Sequence, residues 1–446
     1  MKRVFFLLIC FTLIFALCGC EKVPAENSKN TSDTLHTASD PQSAIVSSEV
    51  TVTGSFSESS KTSSKTHSSV PAQSSQVSTA PVSSVAPTVP ESAAQKLLKG
   101  MTAEEKVAQL FIICPEDLNL TTEDKAVAGA VTAVNSNIIA ALGRYPVGGV
   151  IMFAANTANP SQLKSLMDAF KQNARTPLFL SVDEEGGNVA RLANNPAFGL
   201  TNFGSALYLE TKEKVFSTYN YIGGYLGSYG FNLDFAPVAD IYTNSANTVI
   251  GSRAFGRDAA TVTTLLPEAI KGLENNGIIP CIKHFPGHGD TLGDTHNGVV
   301  TLNKTWEQLN ATEIVPFKNA IEKGVEMIMA AHITLPNATK EALPASLSKE
   351  MLTDKLRGEL GFDGIIITDS LKMGAITKHF SAGDAAVKAF SAGADILLMP
   401  SDFVAAYKAV LAAVNSGSIT QMRLDESVLR ILELKEKYGI IGEYNG

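Results

Sequence analysis

Short apolar segments recur along the last three-quarters of the chain, and longer segments of mixed polarity separate them. The short segments are rich in Val, Ile, Leu and Phe and are mostly bounded by Gly, Pro or Asp; they cover residues 107–114, 147–153, 177–182, 232–237, 279–283, 326–331, 364–368 and 395–399. Continuous apolar runs of this length predict strands that are buried on both faces, which is typical of a parallel sheet. The pattern therefore predicts eight strands.

The longer segments between these strands have the spacing of amphipathic helices. In one of them, apolar residues recur every three or four positions before Gly230, a residue type that commonly ends helices: Val215, Tyr219, Ile222, Leu226 and Tyr229. The same spacing follows Pro160 and precedes Gly417. Strands that alternate with such helices predict parallel β/α units. We therefore predict an α/β fold, a (β/α)8 TIM barrel over residues 94–446, with an open doubly wound sheet as the alternative.

The N-terminal end has the features of an export signal. Lys2 and Arg3 precede an apolar run over residues 4–17, which leads into Cys18, Gly19 and Cys20. A charged start, a short apolar core and small residues before a cleavage site are typical of a secretory signal peptide. The L-C-G-C sequence resembles a bacterial lipoprotein signal, which predicts a signal over residues 1–20 and a lipid on Cys20. An uncleaved membrane anchor is the alternative.

Residues 21–93 are rich in Ser, Thr and Pro and carry only scattered charges. Such a composition cannot bury an apolar core, so we predict a disordered tether. A glycosylated stalk or a partner-binding segment are the alternatives. Together with the lipid, the tether predicts a domain that is anchored to the extracellular face of a bacterial membrane.

Charge and cysteine content narrow the possible partners. The formal net charge is −8, and the predicted barrel contains no basic block, so we expect no nucleic-acid partner. Cys114 and Cys281 lie in apolar runs and are predicted to be buried thiols rather than parts of a disulfide framework.

Polar residues are concentrated where the predicted strands end. They are Asp183, Glu184 and Glu185 after the third strand, Asp234 and Asp240 around the fourth, Lys283 and His284 at the fifth, His332 after the sixth, and Asp369 and Ser370 after the seventh. The carboxyl ends of barrel strands form the mouth where catalytic residues of this fold lie. We therefore expect these side chains to converge on one rim.

The loop after the fifth strand contains an aspartate and a histidine two positions apart. In an extended segment, the side chains of Asp294 and His296 point the same way, so the carboxylate can orient and charge the imidazole. This spacing predicts a dyad rather than a metal site. Gly287, Gly289 and Gly293 are expected to let the loop move.

Several longer motifs occur in order along the predicted barrel. They are V-D-E-E-G-G-N-V-A-R-L at 182–192, N-L-D-F-A-P-V-A-D at 232–240, V-I-G-S-R-A-F-G at 249–256, K-H-F-P-G-H-G-D-T at 283–291, D-T-H at 294–296 and I-I-T-D-S-L at 366–371. With these motifs the sequence resembles family 3 glycoside hydrolases, in particular their β-N-acetylhexosaminidase branch.

The resemblance implies a retaining mechanism without a cofactor or a metal ion. It implies that Asp369 is the nucleophile and that His296 is the acid/base, supported by Asp294. Groups that bind the sugar ring are also implied, namely Asp183, Arg191, Arg253, Lys283 and His284.

The residues themselves leave alternatives open. Asp369 could instead cap a following helix. Arg191 or Arg253 could simply pair with Glu185 or Asp240.

The expected function is hydrolysis of terminal N-acetylglucosaminides from cell-wall or chitin fragments. Three alternatives remain open: a β-N-acetylglucosaminide phosphorylase, a metal-dependent barrel hydrolase that uses the same histidines and acids, and a non-catalytic sugar-binding lipoprotein. The carbohydrate substrate and the membrane, reached through the lipid anchor, are the expected partners.

Overall fold

The computed structural model describes residues 91–442, and a sheet of parallel strands lies at their centre. The strands are β1 Phe111–Ile113, β2 Gly149–Met152, β3 Phe179–Val182, β4 Leu233–Asp234, β5 Ile279–Phe285, β6 Met327–Ala330, β7 Ile365–Thr368 and β8 Leu397–Leu398. Their order in space is β7-β6-β5-β4-β3-β2-β1-β8. A parallel bridge between Ile367 and Ile396 joins β7 to the segment before β8 and closes the ring. The predicted TIM barrel is confirmed, and the open-sheet alternative is wrong.

Each predicted strand overlaps an observed one, but the fifth continues two residues beyond its prediction, to Phe285, and the first prediction extends too far toward the N-terminus. Residues 107–109 belong to a helix, Ala103–Gln109, which begins after Thr102. The Thr102 side chain accepts a hydrogen bond from the N–H of Glu105, and the Glu105 side chain accepts one from the N–H of Thr102. Val107 is apolar because this helix buries it, not because it lies in a strand.

Helices surround the barrel. The α-helices are α1 Ala93–Gly100, α2 Ala103–Gln109, α3 Pro115–Leu118, α4 Ser136–Arg144, α5 Pro160–Asn173, α6 Lys212–Tyr229, α7 Ala259–Glu274, α8 Trp306–Ala311, α9 Ile314–Glu322, α10 Gly374–Thr377, α11 Ala382–Ala392, α12 Phe403–Asn415 and α13 Gln421–Lys437. Short 3-10 helices cover Ala154–Asn156, Pro196–Phe198, Ala206–Tyr208, Gly251–Arg253 and Ala345–Leu347, and a π-helix covers Glu350–Glu359. Outside the barrel, Glu184–Gly186 pairs with Val189–Ala190 in an antiparallel hairpin, and Val300–Thr301 pairs with Ile333–Thr334 in parallel.

The helix signals in the sequence act as expected. Helix α6 begins where the Thr211 side chain accepts a hydrogen bond from the N–H of Lys214, and it ends at Gly230, whose φ of 95° suits glycine. Helix α5 begins with Pro160 after the Asn159 cap. The helices predicted from these signals are confirmed.

A buried lysine lies at the N-terminal ends of the barrel strands. Lys435 extends from α13, and its ammonium donates to the Oε1 atom of Gln109 at 2.9 Å. It also lies 4.9 Å from the ring centroid of Phe179, the first residue of β3. The Gln109 amide in turn donates to the carbonyl oxygens of Pro146 and Val147. Burial lowers the pKa of Lys435 to about 7.

The signal peptide predicted over residues 1–20, the lipidation of Cys20 and most of the predicted tether lie outside the described residues. Within residues 91–442, none of the helices has the length and apolar character that crossing a lipid bilayer requires. Cys114 and Cys281 are free and buried, as the sequence predicts.

Candidate active site

A cavity of about 430 Å³ opens at the carboxyl ends of the barrel strands. This volume lies toward the lower end of the usual size of small-molecule sites, about 300–1,000 Å³. The predicted residues that line it are Asp183, Arg191, Arg253, Lys283, His284, His296 and Asp369. The sequence therefore identified most of the charged groups that meet in this cavity.

Asp369 directly follows β7 and lies at the cavity wall. Its Oδ1 atom accepts a hydrogen bond of 2.7 Å from the N–H of Ser370. Burial by itself would raise the pKa of this carboxyl. The His332 and His284 imidazoles and the Ser370 N–H favour the charged form, and the pKa of the Asp369 carboxyl lies below its ordinary value. The side chain is thus an anion that faces the cavity.

Asp369 does not cap the following helix. Helix α10 begins at Gly374, and Met373 occupies its N-cap position without a side-chain hydrogen bond. The helix-cap alternative for this aspartate is therefore wrong.

Four charged side chains form a continuous network beside Asp369. The Lys283 ammonium lies 2.8 Å from Asp183 Oδ1 and 2.6 Å from Glu185 Oε1. Arg253 donates two hydrogen bonds to Glu185, from Nε at 2.8 Å and from Nη2 at 2.7 Å. Burial would raise the pKa of Glu185, but Arg253 and Lys283 hold it well below its usual range. Glu185, Arg253 and Lys283 therefore stay charged at neutral pH.

The two arginines differ in how firmly they are held. Arg253 pairs with Glu185, as the ion-pair alternative expects, and it also lines the cavity. Arg191 has a looser partner, since its Nη2 atom lies 3.4 Å from Asp183 Oδ2. Its guanidinium carbon lies 5.4 Å from the ring centroid of Phe153. Arg191 thus retains donors for a ligand.

One buried carboxylate orients His284 and the loop that follows it. Asp240 Oδ2 lies 2.6 Å from Nδ1 of His284, and Asp240 Oδ1 accepts hydrogen bonds from the N–H groups of His284 and His288. Burial would raise the pKa of Asp240, but the His284 imidazole lowers it below its ordinary value. Because Nδ1 donates to Asp240, Nε2 is the imidazole atom left for a ligand.

The predicted dyad forms on the loop after β5. Nδ1 of His296 lies 2.7 Å from Asp294 Oδ1, which also accepts a hydrogen bond from the N–H of His296. Burial would raise the pKa of Asp294, but the His296 N–H and imidazole lower it. The His296 side chain is 69% exposed, so its Nε2 atom can exchange protons with solvent or a ligand.

The dyad loop is attached to the segment that follows Asp369. The carbonyl oxygen of His296 accepts a hydrogen bond of 3.1 Å from the N–H of Gly374, and that of Thr295 accepts one of 3.0 Å from Ala375. The Lys378 ammonium donates to the carbonyl oxygen of Asn297. These contacts hold the dyad over the same cavity as Asp369.

Two of the loop glycines serve close packing. A Cβ atom at Gly287 would lie 2.6 Å from the Glu313 side chain, and one at Gly289 would lie 1.8 Å from the carbonyl oxygen of Ile241. Gly293, at a φ of 123°, is less crowded, since a Cβ atom there would lie 3.4 Å from Cγ2 of Val300, and it remains the position best suited to a hinge. Movement of the loop stays a prediction.

Glu184 and Asp234 hold the cavity wall from behind. The Glu184 carboxylate accepts hydrogen bonds from the N–H groups of residues 191–193 and from the Tyr225 hydroxyl, at 2.7 Å. The N–H of Glu184 donates to Asp234, whose pKa is raised well above its ordinary value by burial. The period-two alternation of an extended segment, with residues 183 and 185 on one face and 184 on the other, could have revealed this structural role.

Two further histidines beside this site, His288 and His332, are buried and neutral. Burial lowers the pKa of His288 and of His332. His288 lines the cavity, its Nδ1 atom lies 2.7 Å from Thr291 Oγ1, and its Nε2 atom has no hydrogen-bond partner among residues 91–442. Nδ1 of His284 and both nitrogens of His332 are already engaged. Within residues 91–442, no three His, Cys, Asp or Glu side chains are arranged to hold a metal ion.

Comparisons with known proteins agree with this fold. Residues 102–434 match the family model described as the glycosyl hydrolase family 3 N-terminal domain. Beta-hexosaminidase LpqI of Mycobacterium tuberculosis is 32% identical over 381 residues, which cover 83% of this chain and 92% of that protein. Beta-hexosaminidase A of Pseudoalteromonas piscicida is 35% identical over 336 residues, covering 69% of this chain and 56% of that one.

A solved structure is similar as well. The family 3 β-N-acetylglucosaminidase from Paenibacillus sp. matches with a TM-score of 0.70 and 37% identity, over 78% of this chain and 64% of that chain. The chain thus spans less than two thirds of the length of this relative and of the Pseudoalteromonas protein. The family match over residues 102–434 nevertheless covers most of the sequence, and the chain belongs to glycosyl hydrolase family 3.

Proposed function

We propose that this chain is a retaining, exo-acting β-N-acetylglucosaminidase. The observation that carries the proposal is that the Asp369 carboxylate and the His296 imidazole line one cavity, together with a network of charged hydrogen-bonding groups. The names of the relatives, β-hexosaminidase and β-N-acetylglucosaminidase, support the same activity.

The charged network suits the hydroxyl groups of a sugar ring. Asp183, Lys283 and Arg253 are already held by one another or by Glu185, so they present fixed donors and acceptors before a ligand arrives. Such preorganised groups replace the water around a polyol without being reordered themselves. Arg191 adds donors at the same cavity, and Nε2 of His284 adds a further hydrogen-bonding atom.

The first chemical step is assigned to Asp369 and His296. The Asp369 carboxylate attacks the anomeric carbon, the bond from that carbon to the leaving oxygen breaks, and His296 gives its proton to this oxygen. Asp294 stabilises the charged imidazole before the transfer. In the second step, water attacks the anomeric carbon, the ester bond to Asp369 breaks, and His296 takes a proton from the water.

Release of nitrophenol from an aryl N-acetylglucosaminide tests the nucleophile. Asp369→Ala should lower kcat by a factor of at least about 10⁴, since it removes the covalent intermediate. Asp354→Ala is the matched control, because Asp354 is an exposed aspartate on the π-helix. Turnover by the Asp369 variant at the control's rate would disprove the mechanism. A wild-type enzyme that cleaves aryl glucosides as fast as N-acetylglucosaminides would disprove the proposed specificity.

The leaving group tests the acid. His296→Ala should slow an alkyl N-acetylglucosaminide far more than the nitrophenyl one, because a good leaving group needs little protonation. Equal losses on both substrates would remove His296 from this role. Free N-acetylglucosamine should remain the product in phosphate buffer, whereas formation of the sugar phosphate would favour the phosphorylase alternative.

We further propose that a lipid on Cys20 anchors the enzyme outside a bacterial membrane, where it acts on cell-wall or chitin fragments. The L-C-G-C sequence and the Ser/Thr-rich segment after it support this placement. Cys20→Ala should move the protein from the membrane fraction to the soluble fraction of the expressing cells. An unchanged membrane fraction would contradict lipid anchoring at this residue.

A further inference from the structure

His332 is a buried histidine beside the proposed nucleophile to which the mechanism above gives no role. It follows β6 by two residues and has no exposed surface. Its Nδ1 atom lies 2.6 Å from the Ser346 hydroxyl, and its Nε2 atom lies 2.9 Å from the carbonyl oxygen of Ser370. Both imidazole nitrogens are therefore engaged, one on each side of the ring.

The two partners determine the protonation of the ring. A carbonyl oxygen only accepts hydrogen bonds, so Nε2 of His332 must carry the proton that it donates to Ser370. Burial lowers the pKa of His332, and the ring is neutral at neutral pH. Nδ1 then has a free lone pair, which accepts the hydroxyl proton of Ser346. Ser346 thus selects the tautomer that binds Ser370.

The Ser370 residue connects this ring to Asp369. Its carbonyl oxygen is held by His332, while its N–H donates to Asp369 Oδ1 at 2.7 Å. Ser370 lies outside a regular helix or strand, and its carbonyl oxygen accepts one backbone hydrogen bond, of 3.0 Å from the N–H of Met373, beside the one from His332. A protonated His332 ring, present only at low pH, lowers the pKa of Asp369 by its charge; at neutral pH the ring is neutral and supports the carboxylate through the fixed orientation of Ser370.

We infer that His332, with its tautomer set by Ser346, is a positioning residue that holds Ser370 so that its N–H orients the Asp369 carboxylate and keeps it ionised. The inference rests on the proposed role of Asp369 as nucleophile. His332 touches neither sugar nor reacting atoms in this role, and its effect should be on kcat and on the ionisation of Asp369 rather than on sugar binding.

Three variants separate positioning from mere packing. His332→Leu removes both hydrogen bonds, His332→Gln keeps an N–H donor for the Ser370 carbonyl, and Ser346→Ala removes only the group that selects the tautomer. We expect kcat on nitrophenyl N-acetylglucosaminide to fall about 10–100-fold in H332L and less in H332Q and S346A. The acid limb of the kcat/KM profile should move to higher pH in H332L, because the carboxylate loses support.

Binding of free N-acetylglucosamine, measured by calorimetry, provides the control within the same proteins. Its Kd should stay within about twofold of the wild-type value in all three variants, since the sugar-binding groups are untouched. Loss of sugar binding in proportion to kcat would overturn the inference in favour of a general packing role. So would an unchanged kcat and acid limb in H332L.

Two further arms keep the test decisive. If H332L does not fold, the comparison is made between S346A and the wild type alone. A kcat and a pH profile of S346A equal to those of the wild type would overturn the inference. Titration of Asp369 by NMR of ¹³C-aspartate protein, with D369N to assign the signal, does not need turnover. A higher Asp369 pKa in S346A or H332L supports the inference, and an unchanged pKa overturns it. This result holds even if the wild-type enzyme does not cleave N-acetylglucosaminides and the proposed function is wrong.

Discussion

Replacing Lys435 by methionine should stabilise the folded protein at acidic pH and destabilise it at alkaline pH. The lysine is fully buried, and Gln109 is the acceptor of its ammonium at 2.9 Å. Its pKa falls from about 10.4 in an unfolded chain to about 7 in the folded one. The folded state therefore binds fewer protons than the unfolded state between these values, and stability increases as the pH rises through this window.

The magnitude follows from the same numbers. Each pKa unit corresponds to about 1.4 kcal/mol, so the buried lysine costs roughly 4–5 kcal/mol of unfolding free energy below pH 7, and this cost disappears above about pH 10. Methionine has a similar length and no charge, but it leaves Oε1 of Gln109 without this donor, a loss of about 1–3 kcal/mol. Lys435→Met should thus be more stable than the wild type by about 2 kcal/mol near pH 6 and less stable near pH 10.

Urea unfolding of the full chain at pH 6, 8 and 10 measures this difference. Lys349→Met is the matched control, because the Lys349 side chain is 71% exposed and should give the same small change at each pH. A Lys435 variant that is less stable than the wild type at pH 6 would refute the reasoning. So would a stability difference that does not change between pH 6 and 10.

Three further substitutions test the cavity and its supports. Asp234→Asn should raise the urea midpoint at pH 7 and change it little near pH 3. Burial raises the pKa of Asp234, so ionisation of this carboxyl costs unfolding free energy as the pH rises. A difference in midpoint that does not depend on pH would contradict this reasoning. Gly374→Ala would place a Cβ atom 2.5 Å from the carbonyl oxygen of His296 and so displace the proposed acid. The kcat should fall about tenfold on alkyl N-acetylglucosaminides and little on nitrophenyl ones. Equal effects on both substrates would argue against displacement of His296. Asp240→Asn should lower kcat/KM by about 100-fold. An amide has only one oxygen, so it cannot accept hydrogen bonds from both the His284 ring and the His288 N–H as the two carboxylate oxygens do. A wild-type kcat/KM in this variant would contradict the orienting role of Asp240.

The sequence predicted the parts of the structure that depend on local pattern. The barrel strands are short apolar runs, so their positions could be read directly, and β1 was misjudged only because Val107 is buried by a helix instead. Asp294 and His296 form their contact across two residues of the same loop, and the spacing alone predicted it. Strand-end residues such as Asp369 reached the cavity because parallel strands share one carboxyl end.

Contacts between distant segments could not be predicted in this way. The Ser346 hydroxyl meets His332 and the Lys435 ammonium meets Gln109 only because the barrel closes and α13 packs on it. Likewise, Lys372 pairs with Asp117 across more than half the chain and lines the cavity, although neither residue has a sequence signal of its own. Such pairs depend on the three-dimensional arrangement of whole β/α units rather than on spacing.

The attachment of His284 and His288 to a single carboxylate bears on how this enzyme could be adapted to other sugars. Asp240 holds one imidazole and two backbone N–H groups, so a change at Asp240 disturbs all three contacts, and a change at His284 leaves the buried carboxylate without its imidazole partner. Libraries that vary these positions individually should yield mostly inactive proteins. Arg191 has one long contact to Asp183 and lies over the ring of Phe153. Single substitutions at Arg191 are therefore the ones expected to give new substrate preferences.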